Sequence, residues 1–260
     1  MSNYLITGGS KGVGKELYNQ LVKNGHVVYI CDIEQPTWLI KKNLFTKIDC
    51  SLDNKIKKLS KNFSKKKILF DGLIFCHGAH HTAPLLNTEI KDLKKVFEIN
   101  FFSYFYLIKN LYSLMINGGK IISISSIAAT TPIPYSFVYS SSKSSLESMF
   151  FCFFNEFKDK KINLVVVQPG NINTGFNETG NKFSNINSKS YKFYIKVVKK
   201  IHSKYGMRPE NVATKIVNIL KKKNPLPRYV IGKNAILANL VLRGLGLFLT
   251  LRLLRIFFKL

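Results

Sequence analysis

Three side chains in the middle of the chain have the types and the spacing needed for proton transfer to an oxygen atom. Tyr139 and Lys143 are four residues apart in YSSSK, so on a helix the phenol and the ammonium share one face. Tyrosine has an ordinary pKa of about 10, and a neighbouring cation lowers it by favouring the phenolate. Ser126 follows an apolar run at 120–125, where a strand should end, and its hydroxyl could hold a carbonyl oxygen beside the phenol. The trio predicts acid–base chemistry at a carbon–oxygen bond.

A glycine cluster near the start of the chain, LITGGSKGVG, has the composition of a phosphate-binding turn. Gly8, Gly12 and Gly14 lie between a strand-like run and a helical window. Without a Cβ atom the backbone can turn sharply, and a pyrophosphate can approach the free N–H groups of the following helix. Any tight strand–helix turn uses glycine, so the dinucleotide interpretation depends on the rest of the chain.

Apolar runs of strand length alternate with longer helical windows. The predicted strands are Tyr4–Thr7, Val27–Cys31, Phe45–Ile48, Gly72–Cys76, Lys120–Ser125, Leu164–Val167 and Tyr229–Ile231. The predicted helices are Val13–Asn24, Asn54–Phe63, Glu89–Ile116, Phe137–Lys158, Tyr191–His202 and Pro209–Lys223. Most strands are continuously apolar, as in a parallel sheet buried on both faces. The order predicts an α/β fold: a doubly wound, Rossmann-type parallel sheet of about seven strands in a three-layer arrangement.

The succession of motifs resembles the short-chain dehydrogenase/reductase family from residue 3 to about residue 232. The motifs are TGGSKGVG, VFEIN, ISISS, YSSSK and QPGNINT, and their order is far more specific than any one of them. The resemblance implies that Tyr139 is the general acid or base and that Ser126 positions the substrate oxygen. Lys143 would lower the tyrosine pKa and hold the nicotinamide ribose, and Asn100 would support a water-mediated proton relay to the lysine.

The resemblance also implies a set of residues around a nicotinamide dinucleotide. The glycines of the first turn would line the pyrophosphate, the aspartate of KIDCS would meet the adenine ring, and the PGNINT segment would lie beneath the nicotinamide and contact its carboxamide. The expected cofactor-binding residues are Thr7, Gly8, Ser10, Lys11, Gly12, Val13, Gly14, Asp32, Asp49, Gly78, Asn100, Tyr139, Lys143, Pro169, Gly170, Ile172 and Thr174. Where the family carries NNAG this chain has FCHG, which keeps only the glycine. His77 could replace a core residue or face the cofactor, and the first interpretation is favoured.

Asp32 and Lys11 point to different cofactors. Asp32 ends the second predicted strand about twenty residues beyond the glycines, where a carboxylate accepts hydrogen bonds from a ribose 2′-OH and repels a 2′-phosphate. Lys11 occupies a position at which a basic residue in the family often accompanies NADP. Because the repulsion at Asp32 is direct and short-ranged, we predict that NAD(H) is favoured over NADP(H).

The expected activity is that of an NAD(P)-dependent oxidoreductase, which transfers a hydride between nicotinamide and a carbonyl or secondary alcohol. Apolar helices and an apolar tail favour a lipophilic small-molecule substrate such as a sterol, retinoid, long-chain ketone or sphingoid base. A 3-oxoacyl thioester on an acidic carrier protein is the rival, and a non-enzymatic nucleotide-binding sensor or scaffold is the alternative of a different class. The family's usual homodimer or homotetramer would pack the helices at 89–116 and 137–158.

The last residues, AILANLVLRGLGLFLTLRLLRIFFKL at 235–260, differ in kind from those before them. Arg243, Arg252 and Arg255 argue against a spanning helix, because an arginine at the bilayer centre costs ~2.5–3.5 kcal/mol. The polar residues form stripes on a helical wheel, which favours an amphipathic helix lying in the membrane interface; the alternative is packing on the domain or on a partner subunit. The sequence thus divides into a catalytic domain, 1–232, and a tail, 233–260.

The polar segment 171–190 between two predicted elements suggests a mobile loop over the ligand.

Composition restricts the remaining classes of function. The formal charge of +26 comes mostly from lysines spread along the chain, and lysine is a poor match to base or phosphate forks, so no nucleic-acid partner is expected. The four cysteines are widely spaced, which predicts free thiols and a cytoplasmic location, with peripheral contact at the cytoplasmic membrane face through 235–260. The histidines of CHGAHH have no carboxylate or cysteine at ligand spacing, so no metal is expected. Strand-like sequence from Asn3 predicts that there is no signal peptide.

Overall fold

The predicted strands form one parallel sheet in the computed structural model. The structure describes residues 1–39, 44–174, 176 and 188–260. Within these residues the strands are β1 (Asn3–Thr7), β2 (Val27–Asp32), β3 (Phe45–Lys47), β4 (Phe70–Phe75), β5 (Met115–Ile124), β6 (Asn163–Pro169) and β7 (Arg228–Ile231). They lie in the order β3-β2-β1-β4-β5-β6-β7 with every neighbouring pair parallel. The doubly wound α/β fold is confirmed.

Helices cover both faces of this sheet. They are α1 (Gly12–Lys23), α2 (Asp53–Lys65), α3 (Ile90–Phe97), α4 (Ser103–Leu111), α5 (Phe137–Glu156), α6 (Lys189–Tyr205), α7 (Pro209–Leu220) and α8 (Lys233–Phe258). A π-helical turn, Glu98–Phe102, joins α3 to α4, and short 3₁₀ turns occur at Leu85–Asn87, Tyr112–Leu114 and Ile127–Ala129.

The single long helix predicted over Glu89–Ile116 is wrong. The π-helical turn interrupts it, and helical structure ends before Met115, where β5 begins by pairing with Phe70 of β4. The register then shifts before the next pair, and Gly118 has a φ of +82° in the same stretch. The irregular start of β5 does not have the alternating or continuous apolar pattern of a regular strand. A prediction from the positions of apolar residues therefore extends the preceding helix into it.

The core lies in two layers, one on each side of the sheet. Leu5 belongs to the layer with α2, α4 and α5, whereas the next residue, Ile6, belongs to the layer with α1 and α7. Ile121 and Ile122 of β5 divide in the same way, and all four side chains are fully buried. This alternation is the pleat of a strand whose two faces are both covered. The strand order reverses between β1 and β4, and open sheets bind ligands in the crevice at the carboxyl ends of such strands.

The chain that follows β6 is described in part. Ile172 pairs with Met207 in an isolated bridge, and α6 begins after Ser188, whose hydroxyl accepts from the Tyr191 N–H group at 3.2 Å. Of the predicted loop at 171–190, residues 175 and 177–187 lie outside the described part of the chain.

The tail forms α8, which begins directly after β7. Its backbone breaks at Gly246, where φ is +70° and ψ is 175°. The polar side chains of Asn239 and Thr250 are buried against the protein, and most of the large apolar side chains face outward. Within the described residues, α8 is the one helix long and apolar enough to cross a membrane by length and composition.

Candidate active site

Lys143 and Tyr139 lie one turn apart on the first half of α5, on the side that faces the end of β5. The Lys143 Nζ atom donates a hydrogen bond to the carbonyl oxygen of Ile124, the last residue of β5, at 2.9 Å. A Cβ atom on Gly78 would lie 3.2 Å from the Asn100 Oδ1 atom and 3.5 Å from the Lys143 Nζ atom. Glycine after β4 therefore lets the amide, the ammonium and the backbone approach one another.

The Tyr139 phenol is buried and is hydrogen-bonded to Ser126. Burial raises the pKa of Tyr139 to about 12, and the hydrogen bond from Ser126 partly opposes this rise. The Ser126 Oγ atom also accepts from the Ala128 N–H group at 3.2 Å, which fixes the hydroxyl at the start of a 3₁₀ turn. The lowering of the Tyr139 pKa by Lys143 that the resemblance implies is not found; burial and the Ser126 hydrogen bond account for the shift. The phenol is thus strongly held in its protonated form.

The Lys143 ammonium is also buried, and burial lowers its pKa to about 8. The carboxylate of Glu147, one turn further along α5, acts in the opposite direction by favouring the charged ammonium. Glu147 is itself buried, accepts from the Gln168 Nε2 atom at 3.0 Å and forms an ion pair with Arg228 of β7 at 2.8 Å. Sequence reasoning missed this carboxylate. Its signal was an acidic residue four positions after the lysine, on the same face of the predicted helix.

Asn100 sits in the π-helical turn and is fully buried. Its Oδ1 atom accepts from the Ala79 N–H group at 2.7 Å, and its Nδ2 atom donates to the Ala79 carbonyl at 2.8 Å. The same Nδ2 atom donates to the Ser142 Oγ atom at 2.9 Å. The amide therefore joins the loop after β4 to α5. A π-helical turn adds one residue to the helix, and such turns are frequent at functional sites.

The glycine turn between β1 and α1 has the conformation that a close-approach turn requires. Gly8 and Gly12 have φ values of +68° and +54°, and a Cβ atom on Gly14 would lie only 2.2 Å from the Gly8 carbonyl oxygen. Since α1 starts at Gly12, its free N–H groups point into this turn. Thr174 closes the other side, because a Cβ on Gly12 would lie 3.3 Å from its methyl group. The turn fits a dinucleotide pyrophosphate.

Lys11 lies near the end of β2, where it pairs with a carboxylate of the protein, whereas the sequence predicts that it lies at the cofactor. Its ammonium forms an exposed ion pair with Glu34, a residue that sequence reasoning missed, and that carboxylate raises the pKa of Lys11. Asp32 accepts from the N–H groups of Ser10 at 2.9 Å and Glu34 at 3.2 Å, and the Ser10 hydroxyl donates to the Glu34 carbonyl at 2.5 Å. Two carboxylates, those of Asp32 and Glu34, therefore lie at the end of β2, and the Lys11 ammonium forms an ion pair with the second of them.

His77 bridges three elements within the protein. Its Nδ1 atom lies 2.6 Å from the Thr7 Oγ1 atom at the end of β1, and its Nε2 atom lies 2.7 Å from the Ser103 Oγ atom at the start of α4. Burial lowers the pKa of His77 to about 3, so the ring is neutral. These contacts favour the core interpretation, and they direct the Thr7 hydroxyl toward the histidine.

His80 is a site residue that the sequence did not single out for this role. Its ring lies 4.7 Å from the Tyr139 ring and 6.1 Å from the Phe176 ring, measured between centroids. Burial, together with nearby histidines, lowers the pKa of His80 to about 4. His81 turns to the Thr88 hydroxyl instead, at 3.4 Å. Among the described residues, no group of three His, Cys, Asp or Glu side chains could hold a metal ion.

The remaining predicted residues are held by contacts within the protein. Asp49 accepts from the N–H and hydroxyl groups of Ser51 at 2.9 and 2.6 Å, which shapes the turn before α2. Val13 is buried on α1, and Pro169 ends β6. The Gly170 N–H group donates to Ile231 at 2.9 Å. The side chain of Ile172 packs on the apolar layer below the sheet rather than standing free in the crevice.

A sequence model of the family described as short chain dehydrogenase matches residues 2–185. The chain belongs to the short-chain dehydrogenase family. The 3-ketodihydrosphingosine reductase of Bacteroides thetaiotaomicron is 28% identical to this short-chain dehydrogenase over 236 residues, which are 88% of this chain and 87% of that protein. The 3-oxoacyl-(acyl-carrier-protein) reductase FabG of Buchnera aphidicola is 29% identical over 227 residues, covering 84% and 89% of the two chains.

Solved structures share the fold of this short-chain dehydrogenase. An alcohol dehydrogenase from the archaeon Thermococcus sibiricus, complexed with 5-hydroxy-NADP, matches with a TM-score of 0.74 and 18% identity over 89% of this chain and 96% of that one. A short-chain dehydrogenase from Leptospira borgpetersenii with bound NAD⁺ matches with a TM-score of 0.72 and 19% identity over 89% and 91%. The protein is an NAD(P)-dependent oxidoreductase acting on CH–OH or C=O groups.

Proposed function

We propose that this short-chain dehydrogenase interconverts a carbonyl and a secondary alcohol on a lipophilic substrate, with Tyr139 as the general acid or base. The observation that carries the proposal is the buried phenol of Tyr139, hydrogen-bonded to Ser126 and one helical turn from the buried ammonium of Lys143. Burial shifts the pKa values of both groups away from their ordinary values, and such shifted groups cluster at functional sites, which supports an enzyme rather than a binding module.

The residues at the crevice fit a nicotinamide dinucleotide, which supplies hydride transfer when bound. Gly12 and the N-terminus of α1 would hold the pyrophosphate, because the first N–H groups of the helix have no intrahelical partner and Gly12 has no Cβ atom to obstruct the approach. The Gly8 N–H group donates to the Cys31 carbonyl at 2.9 Å, so Gly8 would contribute the turn itself. Asp32 would meet the adenosine ribose. The segment from Pro169 to Thr174 would lie beneath the nicotinamide.

Proton transfer follows from the state of each side chain. Ser126 would donate a hydrogen bond to the substrate oxygen and hold it beside the phenol. Because the pKa of Tyr139 is raised to about 12, the phenol is protonated near neutral pH and acts as the acid in carbonyl reduction. Lys143 would stabilise the phenolate that remains, and Asn100, whose amide fixes the loop after β4, would keep this side of the site in place.

The test is Tyr139→Phe on a panel of carbonyls and alcohols with both cofactors. We expect turnover to fall by about 10²–10⁴-fold while cofactor binding, followed by fluorescence titration, is retained. Tyr112→Phe is the matched control, because Tyr112 packs on Phe157 at the far end of α5. Turnover in Tyr139→Phe equal to that of the wild type would refute the proposal.

The proposal includes a preference for NAD(H) over NADP(H). Its support is the pair of carboxylates at the end of β2, where Glu34 already neutralises Lys11 and Asp32 stands by the glycine turn. We expect Asp32→Ala to lower the ratio of kcat/KM with NADH to kcat/KM with NADPH at least tenfold. A tenfold change corresponds to about 1.4 kcal/mol. Glu16→Ala, on α1, should leave the ratio unchanged. A wild-type preference for NADPH that Asp32→Ala does not alter would overturn it.

The proposed substrate class is lipophilic. The Tyr139 ring lies beside the rings of His80 and Phe176, and one relative is named 3-ketodihydrosphingosine reductase. The rival substrate is a 3-oxoacyl thioester, supported by the FabG relative and by the formal charge of +26. Measuring kcat/KM along a series of ketones of increasing chain length separates the two. A rise with chain length supports the lipophilic class, and higher values on acyl-carrier thioesters than on any ketone would favour the rival.

The proposed assembly is a homodimer or homotetramer through α4 and α5. An apolar groove runs between these helices, lined by Phe105, Ile108, Tyr112, Phe153 and Phe157. Light scattering of the purified protein tests the assembly.

We also propose a cytoplasmic location, which the four free cysteines support. The catalytic domain would comprise residues 1–232, and residues 235–260 would make peripheral contact with the cytoplasmic membrane face.

A further inference from the structure

The outward side of α8 is an apolar surface that the rest of the described protein leaves uncovered. We call this surface the outer face of α8. Its exposed large side chains are Ile236, Leu237, Leu240, Leu245, Leu247, Phe248, Leu249, Leu251, Leu253, Ile256 and Phe257. Phe248 and Ile256 are the most exposed of them, at 71% and 73%. A surface of this size marks an interaction site in a protein that is otherwise well packed.

The inner side of the same helix contacts the catalytic domain through a few buried residues in each of its two segments, Ala235 and Asn239 before the break and Thr250 and Phe258 after it. The Asn239 Nδ2 atom donates to the Gln168 Oε1 atom at 3.0 Å, in a position next to the turn that begins at Pro169. At the other end, the Phe258 ring lies 5.1 Å from the Tyr194 ring of α6. The domain therefore fixes which side of α8 faces outward.

Helix length and the break at Gly246 distinguish lying on a bilayer from crossing it. The break divides α8 into a segment before residue 246 and a segment after it, and each is about 12 or 13 residues, or roughly 20 Å, long. A bilayer core is about 30 Å thick, so neither segment alone would span it. A straightened α8 could span, but only after the buried contacts of Asn239 and Phe258 were given up. An interfacial position keeps them.

The charges around the outer face select the partner. Neither α6 nor α8 contains an aspartate or glutamate, and both carry exposed cations: Lys189, Lys192, Lys196, Lys199, Lys200 and Lys204 on α6, and Lys233, Arg243, Arg252 and Arg255 on α8. A second copy of the chain would bring the same cations against these. Anionic headgroups neutralise them, and the long lysine and arginine side chains reach the headgroups beside a buried apolar face.

We propose that the outer face of α8, with the cations of α6 beside it, is a docking surface for an anionic lipid bilayer, on which α8 lies flat while its inner side stays on the catalytic domain. This specifies the membrane contact proposed above. One consequence rests on the proposed function. The Tyr191 hydroxyl of α6 donates to the Thr82 carbonyl at 3.0 Å, two residues from His80, which contacts Tyr139. Docking would therefore bring the substrate side of the site to the membrane surface, where a lipophilic substrate is dissolved.

The experiment is flotation of the full-length protein with vesicles of phosphatidylcholine alone or with about one third phosphatidylglycerol. We expect binding to the anionic vesicles, weakened by salt, and little binding to phosphatidylcholine alone. Phe248→Glu and Ile256→Glu should each reduce binding at least tenfold without unfolding the protein, because both side chains are exposed. Leu86→Glu is the matched control, since Leu86 is 96% exposed and lies outside α8. Arg252→Gln should lower the preference for anionic vesicles about fivefold.

Three results would overturn the docking surface. Wild-type protein that stays with membranes through alkaline carbonate washing would show a spanning helix. If the wild type did not bind vesicles and light scattering gave Phe248→Glu half the mass of the wild type, a second copy of the chain would cover the outer face of α8. Equal binding of Phe248→Glu and wild type would place the contact elsewhere. Activity on the series of ketones of increasing chain length is measured in detergent micelles without vesicles, so its absence in the wild type across the whole series refutes the proposed function and not the docking surface.

Discussion

Two buried ionisable side chains define the chemistry at the residue scale. Burial raises the pKa of Tyr139 to about 12 and lowers the pKa of Lys143 to about 8, because each neutral form is favoured away from water. Near neutral pH the phenol keeps its proton and the ammonium is only modestly favoured over the amine. The ammonium is therefore the group that limits the pH range of the site.

The first prediction concerns this limit. For carbonyl reduction, kcat/KM should fall as pH rises through about 8, because the free protein then loses the Lys143 cation. Glu147→Gln should move this alkaline limb to lower pH, since the carboxylate favours the ammonium. The pH–rate profiles of wild type and variant check this, with Glu156→Gln at the exposed end of α5 as the control. An alkaline limb at the same pH in Glu147→Gln would contradict it.

The second prediction concerns stability in acid. The folded protein holds His80 with a pKa of about 4, below the ordinary value of 6.5, so between these values the unfolded chain binds more protons. Stability should therefore fall as pH falls from about 6.5 toward 4, by up to ~1.4 kcal/mol per pH unit from this histidine. Urea unfolding at several pH values should show a shallower slope for His80→Gln. An unchanged slope would show that His80 does not titrate in this way.

At the scale of elements, the sequence predicts what repeats locally and misses what depends on distant partners. The buried strands are recognisable because parallel strands are continuous apolar runs, and Ser126, Tyr139 and Lys143 because their motifs have fixed spacing. The π-helical turn was missed, since Asn100 is held there by residues 21 and 42 positions away along the chain. Glu147 was missed for the same reason, because its ion-pair partner is 81 positions away.

A third prediction tests the ion pair between α5 and β7. Arg228→Met leaves the Glu147 carboxylate buried without its cation, which should lower the free energy of unfolding by about 3 kcal/mol. The double variant Glu147→Leu with Arg228→Met removes both charges and should recover most of this loss. Chemical denaturation of the two single variants and the double variant measures the coupling, and additive losses would show that the pair is not coupled.

At the scale of the whole molecule, α8 has an inner side that packs on the catalytic domain and an outer side that the described protein leaves exposed. Gly246 lies between the contacts that Asn239 and Phe258 make with the domain, and its positive φ lets the helix change direction between them. A Cβ atom at this position meets nothing within 4 Å, so the requirement for glycine comes from the backbone conformation and not from crowding.

The fourth prediction follows from that conformation. Gly246→Ala should favour a continuous helix and release the second half of α8 from α6, which faster hydrogen exchange of residues 247–258 would reveal. Gly244→Ala is a matched control two residues earlier, because it has no positive φ and no neighbour within 4 Å of its Cβ position. That change should leave exchange the same or slow it, and stabilise the helix by up to ~1 kcal/mol. Equal exchange in the two variants would contradict the role given to Gly246.

The π-helical turn at Glu98–Phe102 also limits how the protein can change over evolutionary time. It contains one residue more than a regular helix would need between α3 and α4. A single-residue deletion next to Asn100 would let the two helices merge, and would rotate one relative to the other by about 100°. Asn100 would then leave Ala79 and Ser142, although the merged helix would be more regular and more stable. Such a deletion would therefore exchange the position of the Asn100 amide for a more regular helix.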